Sequence, residues 1–209
     1  MPSATQYDPK PLPFQKPLIG ISDKAMAIHH DKLYAGYVAK VNEIAEGTKE
    51  LFDRSADPIG SANQTYSELR ALKDGETFAT NGVYLHEYYF NVLGGDGAPN
   101  GPLIDALIEK HGSFDRFTRV FSATGMAVRG WVVLAWDTHL GRLKIYGADA
   151  HNQGGVWGAI PIIVLDVYEH AYFMDYGSDR KKYIEDFWKN LNWEAANAVY
   201  EHAKGIARY

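Results

Sequence analysis

The sequence predicts an α+β protein: an all-helical N-terminal half forming a helical hairpin, then a C-terminal α/β half with a small three-stranded antiparallel sheet. Three observations carry this. Apolar residues recur at helical spacing from Ser22 to about Glu46, and a second helical region follows, clearest from about Glu76 to Leu93. A segment from Gly95 to Gly101, with three Gly, one Pro and two other turn formers, interrupts the chain. Beyond it, short apolar strands alternate with helical stretches. The expected division is a helical-hairpin domain over 1–96 and an α/β domain over 97–209.

Taken in order, the first ten or so residues, with Pro2, Pro9, Pro11 and Pro13, read as an extended arm. A helix is expected from Ser22 to about Glu46. Met26, His29, Leu33, Tyr37 and Val41 form its single stripe, Ser22 caps it and Gly47 ends it. A polar stretch containing Pro58, Gly60 and Asn63 leads to a second helix, clearest from Glu76 to Leu93, with Gly94-Gly95 as its C-terminal stop. Pro102–Lys110 and Ser113–Val128 fit two short helices. Trp131–Trp136 and Leu143–Tyr146 read as a hairpin joined through residues 137–142, and Ile160–Leu165 as a strand buried on both faces. From Val167 to Ala207 the pattern is helical, with a break near Gly177-Ser178.

Composition narrows the function. With 209 residues, 46% hydrophobic and 22% charged, the chain is long enough to bury a sizeable core. A formal charge of −5 and the lack of any Lys/Arg run give no reason to expect nucleic acid as a partner. No window approaches the roughly 20 apolar residues that span a bilayer. The polar N-terminus gives no sign of a secretory signal, so a cytoplasmic protein is expected. Cysteine is absent, which removes disulfides, thiolate metal sites, iron–sulfur clusters and cysteine nucleophiles together.

The chemistry lies with the histidines. Of eight, three sit where a solvated histidine would not. His29 lies on the apolar stripe of the first helix. His86 shares a helical row with Gly82, Phe90 and Leu93. His170 follows the buried strand by a few residues. A neutral core histidine with one hydrogen-bond partner would explain any one of them. Asp166 changes the balance. It ends the run Ile-Pro-Ile-Ile-Val-Leu-Asp, where an unpaired carboxylate would cost several kcal/mol. It is either a helix N-cap or, if a helical turn begins there, an i, i+4 metal chelate with His170. Three imidazoles and one carboxylate without sulfur suit Fe, Mn or Zn, in a site for redox or hydrolytic work.

Asp166-Val-Tyr-Glu-His170-Ala-Tyr172 resembles the Asp-x-Trp-Glu-His-Ala-Tyr signature of the iron/manganese superoxide dismutases. Ile28-His29-His30 with Tyr37-Val38 and Asn42 is similar to that family's first-helix motif, and Leu85-His86 takes the place of its Asn-His pair. Arg129-Gly130-Trp131, Tyr183, Phe187-Trp188 and Asn192-Trp193 resemble its later motifs, so the resemblance runs from about Leu12 to the last helix.

The resemblance implies that His29, His86, Asp166 and His170 ligate one Fe or Mn ion per subunit, with solvent as a fifth ligand. It implies dismutation of superoxide to oxygen and hydrogen peroxide by a metal that alternates between oxidation states. Tyr37 would be a phenol at the mouth of the site, Trp131 part of its wall, and Arg180 an arginine of the substrate funnel. His151, or Gln153 if the loop threads differently, would take the role of the glutamine that manganese types bring to the site from the loop after the sheet hairpin. Glu169 and His170 would lie at a homodimer interface, and pairing of dimers into tetramers is left open. So is the choice of metal: Gly82 stands as in manganese types, but a histidine at 151 occurs with either ion. A mid-helix glycine costs roughly 1 kcal/mol relative to alanine, so Gly82 is expected to make room for a neighbour. Leu33 replaces the family's second gateway histidine, which predicts weaker proton supply and turnover. Phe90 and Tyr168 stand where tryptophans are common, and Leu85 replaces an asparagine. The competing readings are a metal-binding relative of low activity and a hydrolase using the same ligands.

Overall fold

The computed structural model describes residues 6–206. The start of the expected arm and Ala207 lie outside the described residues. The N-terminal half is a pair of long helices packed side by side. The first begins as α1 (Asp23–Ile28), passes through a π-helical turn (His29–Tyr34) and continues as α2 (Ala35–Arg54). Ser22 caps it, its hydroxyl accepting from the Ala25 N–H at 3.1 Å.

The π turn corrects the expected stripe. His29 is followed on the buried side by Tyr34, five residues on, and then by Val38, whereas Leu33 and Tyr37 are only half-buried. A π turn holds one residue more than an α turn, so the buried face slips by one position. Gly47 does not end the helix either. It faces Leu72 of the second long helix, and α2 runs on to Arg54, where Ser55 turns extended.

The second long helix, α3 (Glu68–Asn91), starts two turns earlier than Glu76. Its first turns, ELRALKDG, present no buried residue before Ala79, so they carry no apolar stripe to read. The Ser67 hydroxyl supplies the cap, accepting from the Arg70 N–H. The helix stops at Asn91, before Gly94-Gly95. Gly94 takes φ +79° where Phe14 of the arm passes, and a Cβ there would lie 2.3 Å from Phe14 Cβ.

The C-terminal half opens with α4 (Pro102–His111) and α5 (Phe114–Ala127). Strands β1 (Trp131–Asp137), β2 (Arg142–Ala148) and β3 (Ala159–Asp166) form one antiparallel sheet of order β2-β1-β3. Pro161 lies opposite Ala135 beside the register shift in the β1–β3 ladder, where its missing N–H leaves the ladder irregular. Helices α6 (Glu169–Tyr176), α7 (Arg180–Lys189) and α8 (Trp193–Lys204) complete the chain. A second break, at residues 190–192, was not expected. Asn192 caps α8, and its N–H donates to the Val92 carbonyl at 2.8 Å, tying the end of α3 to the C-terminal half. The arrangement is the α+β architecture read from the sequence, and α3 packs directly on β3.

Candidate metal centre

Four side chains from four elements meet where α3 crosses the end of β3. His29 opens the π turn, His86 lies in α3, Asp166 ends β3 and His170 sits in the first turn of α6. One ligand atom from each lies within 4.8 Å of all the others. His29 Nε2 and His170 Nε2 each stand 3.1 Å from Asp166 Oδ2, and His86 Nε2 stands 3.7 Å from it. Three of the four are buried; the His170 side chain keeps 29% of its surface.

The backbone explains why they converge. Asp166 is not on a helix, so the i, i+4 chelate expected on one helical face is replaced by a strand end facing a helix start. Its Oδ1 accepts the Tyr168 N–H at 2.8 Å, which turns Oδ2 alone toward the histidines. It is not the N-cap of α6 either, because Tyr168 holds that position. The Asp166 carbonyl accepts the Tyr183 hydroxyl at 2.8 Å, and Trp131 pairs with Asp166 across the sheet.

Electrostatics makes this a cation site. Burial alone would raise the Asp166 carboxyl, but His170 and His29 outweigh it and hold the group well below the usual carboxylate range. Burial lowers His29, and lowers His86 to about 3, so both are neutral imidazoles near pH 7. Burial also opposes protonation of His170, but there the Asp166 charge prevails and raises it. His86 shows the fit directly. Its Nδ1–H donates to the Gly82 carbonyl at 2.5 Å, leaving the Nε2 lone pair aimed at the other three groups. That Nε2 is buried and has no hydrogen-bond partner. A buried carboxylate, two neutral imidazoles and an orphaned lone pair suit a divalent or trivalent cation, and the N/O donor set suits Fe or Mn.

Around the four, aromatic rings exclude water. Tyr168 stacks on His170 with ring centroids 5.3 Å apart, and Phe90 meets His29 edge-on at 5.4 Å. Trp131, fully buried, stands edge-on to His86 at 5.0 Å. The Tyr37 hydroxyl lies 2.8 Å from His151 Nε2, and the Trp131 indole N–H donates to His151 Nδ1 at 2.9 Å. His151 is buried in this position, whereas Gln153 is exposed. Gly82 does make room for a neighbour: a Cβ there would come within 2.9 Å of the Tyr37 ring.

Arg180 is held differently. Its guanidinium donates to the Tyr172 hydroxyl and to the Val128 and Gly125 carbonyls. Among the described residues, none of its hydrogen bonds reaches the four groups. Two residues were missed in the sequence. Tyr34 is hidden by the π turn, and Glu87 was unremarkable as one more polar position beside His86.

Two halves that share one mononuclear three-histidine, one-aspartate centre define a non-haem metalloprotein whose site exists only when both halves are folded. The helical half matches the alpha-hairpin domain of the iron/manganese superoxide dismutases over residues 7–94, and the other half matches their C-terminal domain over residues 99–199. The chain belongs to the iron/manganese superoxide dismutase family. It is 46% identical over 188 residues to the iron superoxide dismutase of Aquifex pyrophilus, covering 89% of this chain and 87% of that protein. It is 36% identical to the iron superoxide dismutase of Cupriavidus metallidurans over 91% of this chain and 94% of that one. It is 32% identical to manganese superoxide dismutase 1 of Halobacterium salinarum over 95% of this chain and 97% of that one.

Proposed function

We infer that this chain is a superoxide dismutase, converting superoxide to molecular oxygen and hydrogen peroxide, with one Fe or Mn ion per subunit. The observation that carries this is the buried convergence of His29, His86, Asp166 and His170 from both halves within 4.8 Å. When bound, the ion supplies the alternating one-electron oxidation and reduction of superoxide.

The protein's residues do the rest. His29, His86, Asp166 and His170 hold the ion, and their bonds to Gly82 and Tyr168 fix how two of them point. Reduction of superoxide to peroxide consumes two protons, so groups able to hold and pass a proton must stand beside the site. Tyr37 and His151 fill that role at the Tyr37 hydroxyl oxygen. Burial first, then the Asp166 charge, raises the Tyr37 phenol, so it stays protonated through the neutral range. Arg180 contributes positive potential toward the anionic substrate on a chain whose formal charge is −5.

The reading includes a homodimer. His170 belongs to the site yet keeps 29% of its side-chain surface, and Glu169 next to it is exposed. Phe173, Met174 and Ile28, on the packed helices α6 and α1, expose 56%, 49% and 36%. A second copy covering this face would seal the site. No helix among the described residues is long and apolar enough to cross a membrane. A cytoplasmic location, and folding units of 1–96 and 97–209, belong to the same reading.

The test is to purify the chain, measure bound Fe and Mn, and assay superoxide removal before and after metal exchange. Superoxide removal that follows metal content supports the reading; a protein fully loaded with either ion yet inactive sinks it.

A further inference from the structure

Two residues of the N-terminal arm, Tyr7 and Lys10, are bound to the helices that carry His29 and His86 far more closely than an extended arm requires. The Tyr7 backbone exchanges two hydrogen bonds with the Asn42 side chain of α2, at 2.9 and 2.8 Å. The Tyr7 hydroxyl donates to Glu87 Oε1 at 2.7 Å. The Lys10 N–H donates to the Tyr34 hydroxyl at 2.9 Å, and its carbonyl accepts from His30 Nε2 at 2.8 Å. Its ammonium reaches Glu87 Oε2 at 2.5 Å. Tyr34, in turn, donates to Glu87 Oε1 at 2.9 Å.

Apart from Asn42, the targets of these bonds share one property. Glu87 is the residue after His86, His30 is the residue after His29, and Tyr34 closes the π turn that His29 opens. Glu87 therefore accepts from three donors, two on the arm and one on the π turn, with only 17% of its side chain exposed. Removing it would leave the Tyr34 hydroxyl, fully buried, without its acceptor.

We propose that the Tyr7–Lys10 segment is a latch closed on Glu87, and that Glu87 is a positioning residue that sets the separation of His29 and His86 and thereby slows metal release. Glu87 does not touch the centre. It acts through the backbone of its neighbour His86 and through Tyr34. The proposal rests on the four-ligand reading of the site.

The test uses the holoenzyme loaded with Mn or Fe, challenged with excess chelator, with metal release followed over time. Glu87→Ala should release metal about tenfold faster, the scale seen when groups that orient metal ligands are removed. Tyr7→Phe, which deletes one hydroxyl, should fall between it and the parent and tests the latch even if Glu87→Ala does not fold. Glu87→Gln, which keeps a carbonyl oxygen for the two hydroxyls, should recover most of the loss. In a double-mutant cycle, Tyr7→Phe should have little further effect on the Glu87→Ala background. Arg54→Ala, which breaks an exposed pair with Glu68 at the other end of the hairpin, is the control and should release at the parent rate.

Parent-like release from both Glu87→Ala and Tyr7→Phe would overturn the latch. So would equal acceleration by Arg54→Ala, since that would reduce the effect to general stability. A parent protein that binds neither Fe nor Mn would overturn the site reading and the latch with it, and is seen in the first measurement.

Discussion

The Trp131 indole N–H donates to His151 Nδ1 across 2.9 Å, and that one bond fixes the protonation of the His151 ring. An indole nitrogen only donates, so Nδ1 must be the unprotonated acceptor. Burial pushes His151 down to about 4, so near pH 7 the ring is neutral and its single proton sits on Nε2. Nε2–H then donates to the Tyr37 hydroxyl at 2.8 Å, which leaves the Tyr37 proton free to point elsewhere. The three side chains form a chain with one direction, from Trp131 through His151 to Tyr37.

Trp131→Phe should break that direction. The ring remains but the N–H is lost, so Nδ1 is buried without a donor and either nitrogen can carry the proton. We expect nitrogen NMR of the metal-free protein to show mixed His151 tautomers in place of one. Turnover should fall about tenfold while Fe or Mn content holds, a size typical of groups that support a metal site from outside it. A variant with the parent tautomer and parent turnover would refute the chain.

Gly82→Ala sets two effects against each other. Alanine gains roughly 1 kcal/mol of helix propensity. Its Cβ, however, would stand 2.9 Å from two carbons of the Tyr37 ring, which is flanked by His86 and Phe78. Overpacking of this kind costs about 1–3 kcal/mol, so the clash prevails and the ring moves off His151. The expected outcome is a lower melting temperature together with a lower turnover. A more stable variant of full activity would show that the glycine is not there for Tyr37.

Part of the pH dependence of stability follows from His151, alongside contributions of the same sign from His29 and His86. The folded value of His151, about 4, lies below the ordinary 6.5. As pH falls through 6.5 the unfolded chain takes up the proton first, so stability is lost between 6.5 and 4 and levels off below that. The difference corresponds to roughly 3 kcal/mol. His151→Gln removes this titration and no other. The unfolding free energy of the variant relative to the parent, followed by denaturant from pH 7 to pH 4, should shift by that amount in the variant's favour. A difference independent of pH would place His151 in a more solvated setting than the structure gives it.

How far the site was legible depends on what each residue contradicts. His29, His86 and Asp166 stood out because each puts a polar group where the pattern demands an apolar one. His170 stood out for following the buried strand and for its distance from Asp166, and the helical face assumed for that pair was the wrong local structure for the right contact. The π turn left no trace, because a single added residue in one turn does not disturb a pattern read over three or four. Hence the periodicity puts Leu33 on the buried stripe and leaves Tyr34 off it. Glu87 was invisible for the opposite reason: a glutamate at a helix position beside a ligand satisfies every local rule. Its partners, Tyr7 and Lys10, lie about eighty residues away, and only the folded chain brings them to it.

The ligand assignment itself is tested by comparing two removals. His170→Ala takes away one imidazole and with it the group that most lowers the Asp166 carboxyl after burial has raised it. The remaining His29, His86 and Asp166 cannot enclose an ion on the side that His170 closes, and that side is already the exposed one. The purified variant should therefore hold less than about a tenth of the parent's Fe or Mn, and it should melt at the temperature of the metal-free parent, since an ion that binds only the folded chain stabilises it by mass action. Tyr37→Phe removes a hydroxyl that points to His151 and leaves all four ligand atoms in place. It should keep the parent's metal while losing turnover, and should melt slightly lower because the buried His151 Nε2–H loses its acceptor. Full metal content in His170→Ala would remove His170 from the ligand set, and metal loss in Tyr37→Phe would make Tyr37 part of what holds the ion.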